Sequence, residues 1–125
     1  MLEKYCLIML INCSKNIKLV RSVNLCVSPF SKLLGLMFST KNKIFNSALI
    51  FIFKKNMRLD FHMFFVFYSI DIIFLNDLYR VVDFKKNFKP FTLFTAKKPA
   101  KFAIEVEKGT ISSLNLSRGD VIKWK

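Results

Sequence analysis

The longest mostly apolar stretch of this chain, Phe61 to Leu75 (FHMFFVFYSIDIIFL), spans 15 residues and is broken by His62 and Asp71. A helix that crosses a bilayer needs about 20 predominantly apolar residues. The chain is therefore expected to be soluble, with no transmembrane segment. The amino-terminal apolar run, Tyr5 to Ile11, is shorter still, and no small-residue cleavage site follows it. That argues against a signal peptide.

What remains is a series of short apolar runs separated by polar turns, the pattern of short strands. After the run at 5–12, the cluster NCSKN (12–16) reads as a turn, and the alternating segment 17–27 makes a β-hairpin with it. Ser28-Pro29 then offers a hydroxyl cap with proline at the first helical position. Phe30, Leu33, Leu34 and Met37 recur at helical spacing, which predicts a helix to about Phe38 with Leu34 buried against a sheet. Strands are expected at 48–53, 61–67, 70–75, 80–84, 102–106 and 121–124. Charged loops are expected at 54–60 and 85–90, and a second short helix at 110–116. With no repeat and no linker in its 125 residues, the chain reads as a single mainly β domain. It should be barrel- or sandwich-like, with two short helices.

The order of motifs carries a resemblance. LGLMF (34–38), FHMFFVFYSIDIIFLN (61–76), RVVDF (80–84), KKPAKFAIEV (97–106) and GTISSLNLSRGDVI (109–122) follow one another at family-like spacing. Together, over about residues 8–122, they resemble the family known as domain of unknown function 192. The resemblance implies one compact, mostly β domain whose GLMF element lies on a short helix, and it implies no established activity. Many bacterial relatives carry an aromatic-x-Met-Lys-Asn-Thr run and a proline before the Ile/Leu-Asp pair. Here Phe64, Phe65 and Val66 replace the polar residues, and Ser69 stands at the proline position.

Charge and side-chain inventory narrow the chemistry. The net charge is +13 from 21 basic and 8 acidic residues. Lysine greatly outnumbers arginine, and Lys, Asn, Ile and Phe, whose codons are A/T-rich, dominate the composition. Codon bias accounts for much of the basicity. Lysine lacks arginine's planar fork, so any polyanion binding should be weak and nonspecific. The cysteines are Cys6, Cys13 and Cys26, with no CxxC, and His62 is the only histidine. These do not supply a zinc site, so no metal or cofactor is expected, and the thiols are read as free in a reducing cytoplasm. There is no GxSxG and no phosphate loop. In either plausible register of the 70–84 hairpin, Asp71 and Asp83 fall on opposite faces, which argues against a carboxylate dyad.

The sequence thus points to a domain that binds a small molecule or a protein rather than transforming it. The candidate ligand residues are Arg58, His62, Asp71 and Lys97, expected near a groove bordered by the GLMF helix or by 97–101. Structural roles stand beside that reading: His62 bonded at the edge of an aromatic core, Asp71 tying down backbone. An enzyme using His62, and a nonspecific nucleic-acid or anionic-surface binder using lysines, are the alternatives. The phenylalanines of KKNFKPF (85–91) could stack bases only if exposed among the lysines.

Overall fold

The computed structural model describes residues 3–5, 9–26 and 36–125. They contain the strands β1 (Glu3–Tyr5), β2 (Met9–Asn12), β3 (Ile17–Val20), β4 (Ser22–Cys26), β5 (Ser47–Met57) and β6 (Asp60–His62). These are followed by β7 (Ile70–Leu75), β8 (Val81–Phe88), β9 (Leu93–Thr95), β10 (Ala100–Glu107) and β11 (Ile122–Trp124). One short α-helix, α1 (Thr110–Ser113), and a 3-10 turn, Lys41–Lys43, complete them.

A six-stranded sheet, β1-β4-β5-β10-β7-β8, forms the middle of the fold, accompanied by a three-stranded sheet, β11-β2-β3, and a ribbon, β6-β9. All pairs are antiparallel except β4 with β5. The domain is mainly β, as expected, but its sheets stay open and no barrel closes. Among the described residues there is one α-helix, not two. Most of the helix expected after Ser28, including Leu34, lies outside the described residues. Leu36–Phe38 form a turn.

The central sheet is covered on both faces. Ile70, Ile72 and Phe74 of β7 join Leu49, Phe51, Met63 and Val66 in one apolar cluster. Ile73 and Leu75 join Ile50, Ile104, Val106 and Ile111 in the other. A strand buried on both sides loses its polar alternation. This is why IDIIFL, Asp71 apart, shows no polar alternation, and all six of its residues are buried.

Two expected loops are strand. Lys54–Met57 continue β5, where Met57 pairs with Ala100 past a register shift. Lys85–Phe88 continue β8 to pair with Ile70. In both, exposed lysines occupy a ladder held by backbone hydrogen bonds, and the second extension ends on Phe88, which is buried in the core. Conversely, the strand expected at 61–67 stops at His62. Val66 donates back to the Met63 carbonyl (3.2 Å) and Phe65 takes a left-handed φ of 58°, which breaks the period-two pattern.

Candidate functional site

Three of the four expected ligand residues lie on or beside the β6-β9 ribbon. Arg58 is exposed just ahead of β6, and Lys97 is exposed just after β9. The Ala96 N–H donates to the Leu59 carbonyl (2.9 Å), holding these two segments together at one end. His62 sits at the other end, opposite Leu93. Its ring stacks on Phe64 (5.0 Å) and its Nδ1 accepts the Phe64 N–H (3.1 Å).

Asp71 stands apart, on the face of β7 turned away from the ribbon. It is 2% exposed, and both carboxylate oxygens accept backbone donors. Oδ1 takes the Asn87 N–H (3.0 Å), and Oδ2 takes those of Gly109 (3.1 Å) and Ile111 (3.0 Å). Asn87, left-handed at φ 52°, lies at the register shift of β8, and Gly109, at φ 96°, begins α1. Asp71 thus fixes a bulge on one side and caps a helix on the other. The structure does not bring it together with His62.

Asp83 faces Phe74, on the opposite face from Asp71, as the sequence argument required. The register shifts beside it: Phe74 pairs with Asp83 and Leu75 with Val81, so Val82 is an extra residue in the β8 strand. Burial would raise the Asp83 pKa, but the N–H groups of Lys97 and Phe84 and the Arg118 guanidinium (3.0 Å) together hold it below the usual value. Asp120 is similar. Burial opposes its charge, yet Asn12, the Ser117 N–H and Lys15 (3.0 Å) outweigh that and lower its pKa.

Glu105 is the unusual carboxyl. It lies mid-sheet on β10 between Leu49 and Ile72 and is 4% exposed. Burial pushes its pKa up to about 8, with Lys43 opposing. Its Oε1 has no hydrogen-bond partner. Tyr68, whose pKa burial and the nearby Glu105 also raise, is bonded to Ser39 (Oη to Oγ, 2.7 Å). Ser39 Oγ donates to the Leu36 carbonyl (2.5 Å), so Tyr68 must be the donor of that pair. Outside Tyr68 lies a cleft of about 340 Å³ lined by Lys41, Ile44, Tyr68, Ser69, Glu107 and Lys108. The alternation of Phe102, Ile104 and Val106 suggests that Glu105 faces water. The covering loops, which sequence periodicity does not reveal, bury it.

A second feature is on the surface. Phe38, Phe65, Phe67 and Phe91 are 68%, 45%, 62% and 49% exposed, and they touch one another. Phe38 stacks on Phe65 (4.8 Å), and Phe91 meets Phe65 (5.8 Å) and Phe67 (5.5 Å) edge-on. Phe38, Phe65 and Phe91 have φ of 58°, 58° and 59°. Left-handed backbone costs a bulky L-residue roughly 1–2 kcal/mol, and Asn normally fills such positions, as it does at four others here. Backbone bonds lock the arrangement: Phe38 N–H to the Phe65 carbonyl (2.8 Å), Phe91 N–H to that of Met63 (2.7 Å). The sequence signal for this patch was the departure at Phe64-Phe65. Its exposure was not readable, because fifteen phenylalanines in a small chain suggest core.

The fold and surface of the described residues define a class: an open-sheet, mainly β domain with an aromatic patch and a buried carboxyl whose pKa burial raises. Comparison with known proteins then gives the family. The model of DUF192, described as an uncharacterized ACR, matches residues 11–124. The chain belongs to that family. A UPF0127 protein of Pyrococcus horikoshii is 36% identical over 118 residues, covering 93% of this chain and 98% of that one. Another, of Thermococcus sibiricus, is 38% identical over 119 residues, covering 94% and 75%. A crystal structure of a Novosphingobium aromaticivorans protein of unknown function superposes with a TM-score of 0.80 at 24% identity, over 94% of this chain and 84% of that one. A Sinorhizobium meliloti protein, provisionally described as a transcription regulator, gives 0.82 at 21% identity, over 99% and 94%. At these identities the two structures speak for the fold alone.

Proposed function

We propose that this domain is a non-enzymatic binding module whose binding surface is the phenylalanine patch. The observation that carries the reading is the strained backbone beneath exposed rings. Left-handed phenylalanine is unfavourable locally, and exposed apolar rings contribute little to a core. Three such residues, two of them packed on Phe65, are better explained by a partner than by stability. His62, stacked on Phe64 at the patch edge, is the expected ligand residue that we retain in this surface. The free thiol of Cys13 supports placing the module in a reducing cytoplasm.

The rings should be dispensable for folding. The triple variant Phe38→Asn, Phe65→Asn and Phe91→Asn exchanges each strained residue for one that tolerates left-handed backbone. Its thermal midpoint should stay the same or rise, since relieved strain offsets lost ring contacts. A fall of more than about 5 °C, of order 1 kcal/mol or more for a chain this size, would make the patch a structural element instead.

A second reading rests on Glu105. A buried carboxyl with an unpartnered oxygen behind Tyr68 supports a small-molecule site in the cleft between Lys41 and Lys108. Such a ligand should co-purify with the protein and be lost from Tyr68→Phe, which mass spectrometry of the denatured sample would detect.

A further inference from the structure

We infer that the partner of the phenylalanine patch is an anionic lipid surface; this rests on reading the patch as a binding surface. The rings come from three loop segments, 36–40, 63–69 and 89–92, rather than from a sheet face. The patch presents its rings outward. Exposed Phe64 and Leu93, on either side of His62, extend it.

The chain segments that carry the rings are basic. Residues 36–45 hold two lysines, 85–98 hold five, 61–69 hold none, and the three segments contain no aspartate or glutamate. Lys89 lies two positions before Phe91, and its carbonyl accepts the Thr92 hydroxyl (2.5 Å), which fixes the loop. Lys41 opens the 3-10 turn three positions after Phe38. Rings that enter the acyl boundary, with lysines at headgroup level above them, match a bilayer bearing negative lipids.

The other occupants fit less well. A second copy would set these lysines against their own kind. Single-stranded nucleic acid needs open ring faces, but Phe38 and Phe65 spend theirs on each other, and the three segments contain no arginine.

The test is co-sedimentation of the full chain with vesicles of phosphatidylcholine alone and of phosphatidylcholine mixed with phosphatidylglycerol. The chain should partition to the mixed vesicles and much less to the neutral ones, and added salt should weaken binding. The double variant Phe38→Ser and Phe67→Ser, which removes the two most exposed rings, should lower partitioning at least tenfold with an unchanged thermal midpoint. Lys89→Gln should lower it about fivefold. Equal binding to both vesicle types, no binding to either, or parent-like binding by the double variant overturns the lipid assignment. If vesicles fail while oligo-dT binds in a ring-dependent manner, the lipid partner is wrong but the binding surface stands. If the double variant loses stability, the binding-surface reading itself fails, and the comparison of vesicle types with the unaltered chain still decides the lipid question.

Discussion

Glu105→Gln is expected to flatten the alkaline side of the stability profile. The folded-state pKa of Glu105, about 8, lies above its ordinary value of 4.5. Between those values the folded chain keeps a proton that the unfolded chain has released. The contribution of this group is therefore complete below 4.5 and is lost as pH rises through about 8. The slope is about 1.4 kcal/mol per pH unit while the difference lasts. Glutamine mimics the neutral acid in shape and cannot ionise. The variant should match the parent near pH 4.5 and exceed it by several kcal/mol, in order of magnitude, at pH 8 and above. Denaturant midpoints across pH measure this directly, and parallel profiles for the two proteins would refute it. The acid limb should be unchanged. It belongs to Asp83 and Asp120, whose lowered pKa values give stability that is present above the ordinary carboxylate range and lost as pH falls below it.

Asp71→Ala should be the most damaging single carboxylate replacement. It strands three backbone donors, those of Asn87, Gly109 and Ile111. Each unsatisfied buried group costs about 1–3 kcal/mol, so a loss on the order of 3–5 kcal/mol is expected. The damage should be local at first, with the amide of Ile111 exchanging faster than those of β10. A loss under about 1 kcal/mol would mean that water replaces the carboxylate and that the cap is dispensable.

How much of this was legible follows from what each element depends on. The β2-β3 hairpin, with left-handed Asn16 in its turn, was readable because it is local. So were β7, which is apolar but for Asp71, and β10, where Phe102, Ile104 and Val106 alternate. The open sheet order was not, because the parallel pairing of β4 with β5 leaves no mark on either strand. β9 escaped notice because LFT is short and mostly exposed, and gains its identity only from β6. Among the site residues, Asp71 stood out as a polar group within an apolar stretch. Its partners lie 16 to 40 residues away, so its role needed the fold. Glu105 and the exposed phenylalanines escaped for opposite reasons: loops bury the one and expose the others, and loop paths are the least periodic part of any sequence.

The β11-β2 pairing has a consequence for how the chain is made. Met9 and Lys125 exchange reciprocal backbone bonds of 3.2 and 3.1 Å, and Asn12 reaches Asp120 across 108 residues. On a ribosome, the first hairpin emerges long before the strand that completes its sheet. Closing so long a loop adds little to the equilibrium cost, which grows only by about 0.6 kcal/mol per doubling of length. The effect is on timing: non-local β pairings fold in milliseconds to seconds. Until β11 is released from the exit tunnel, β2 keeps an open edge, and the nascent chain carries its greatest risk of mispairing with a neighbour during that interval.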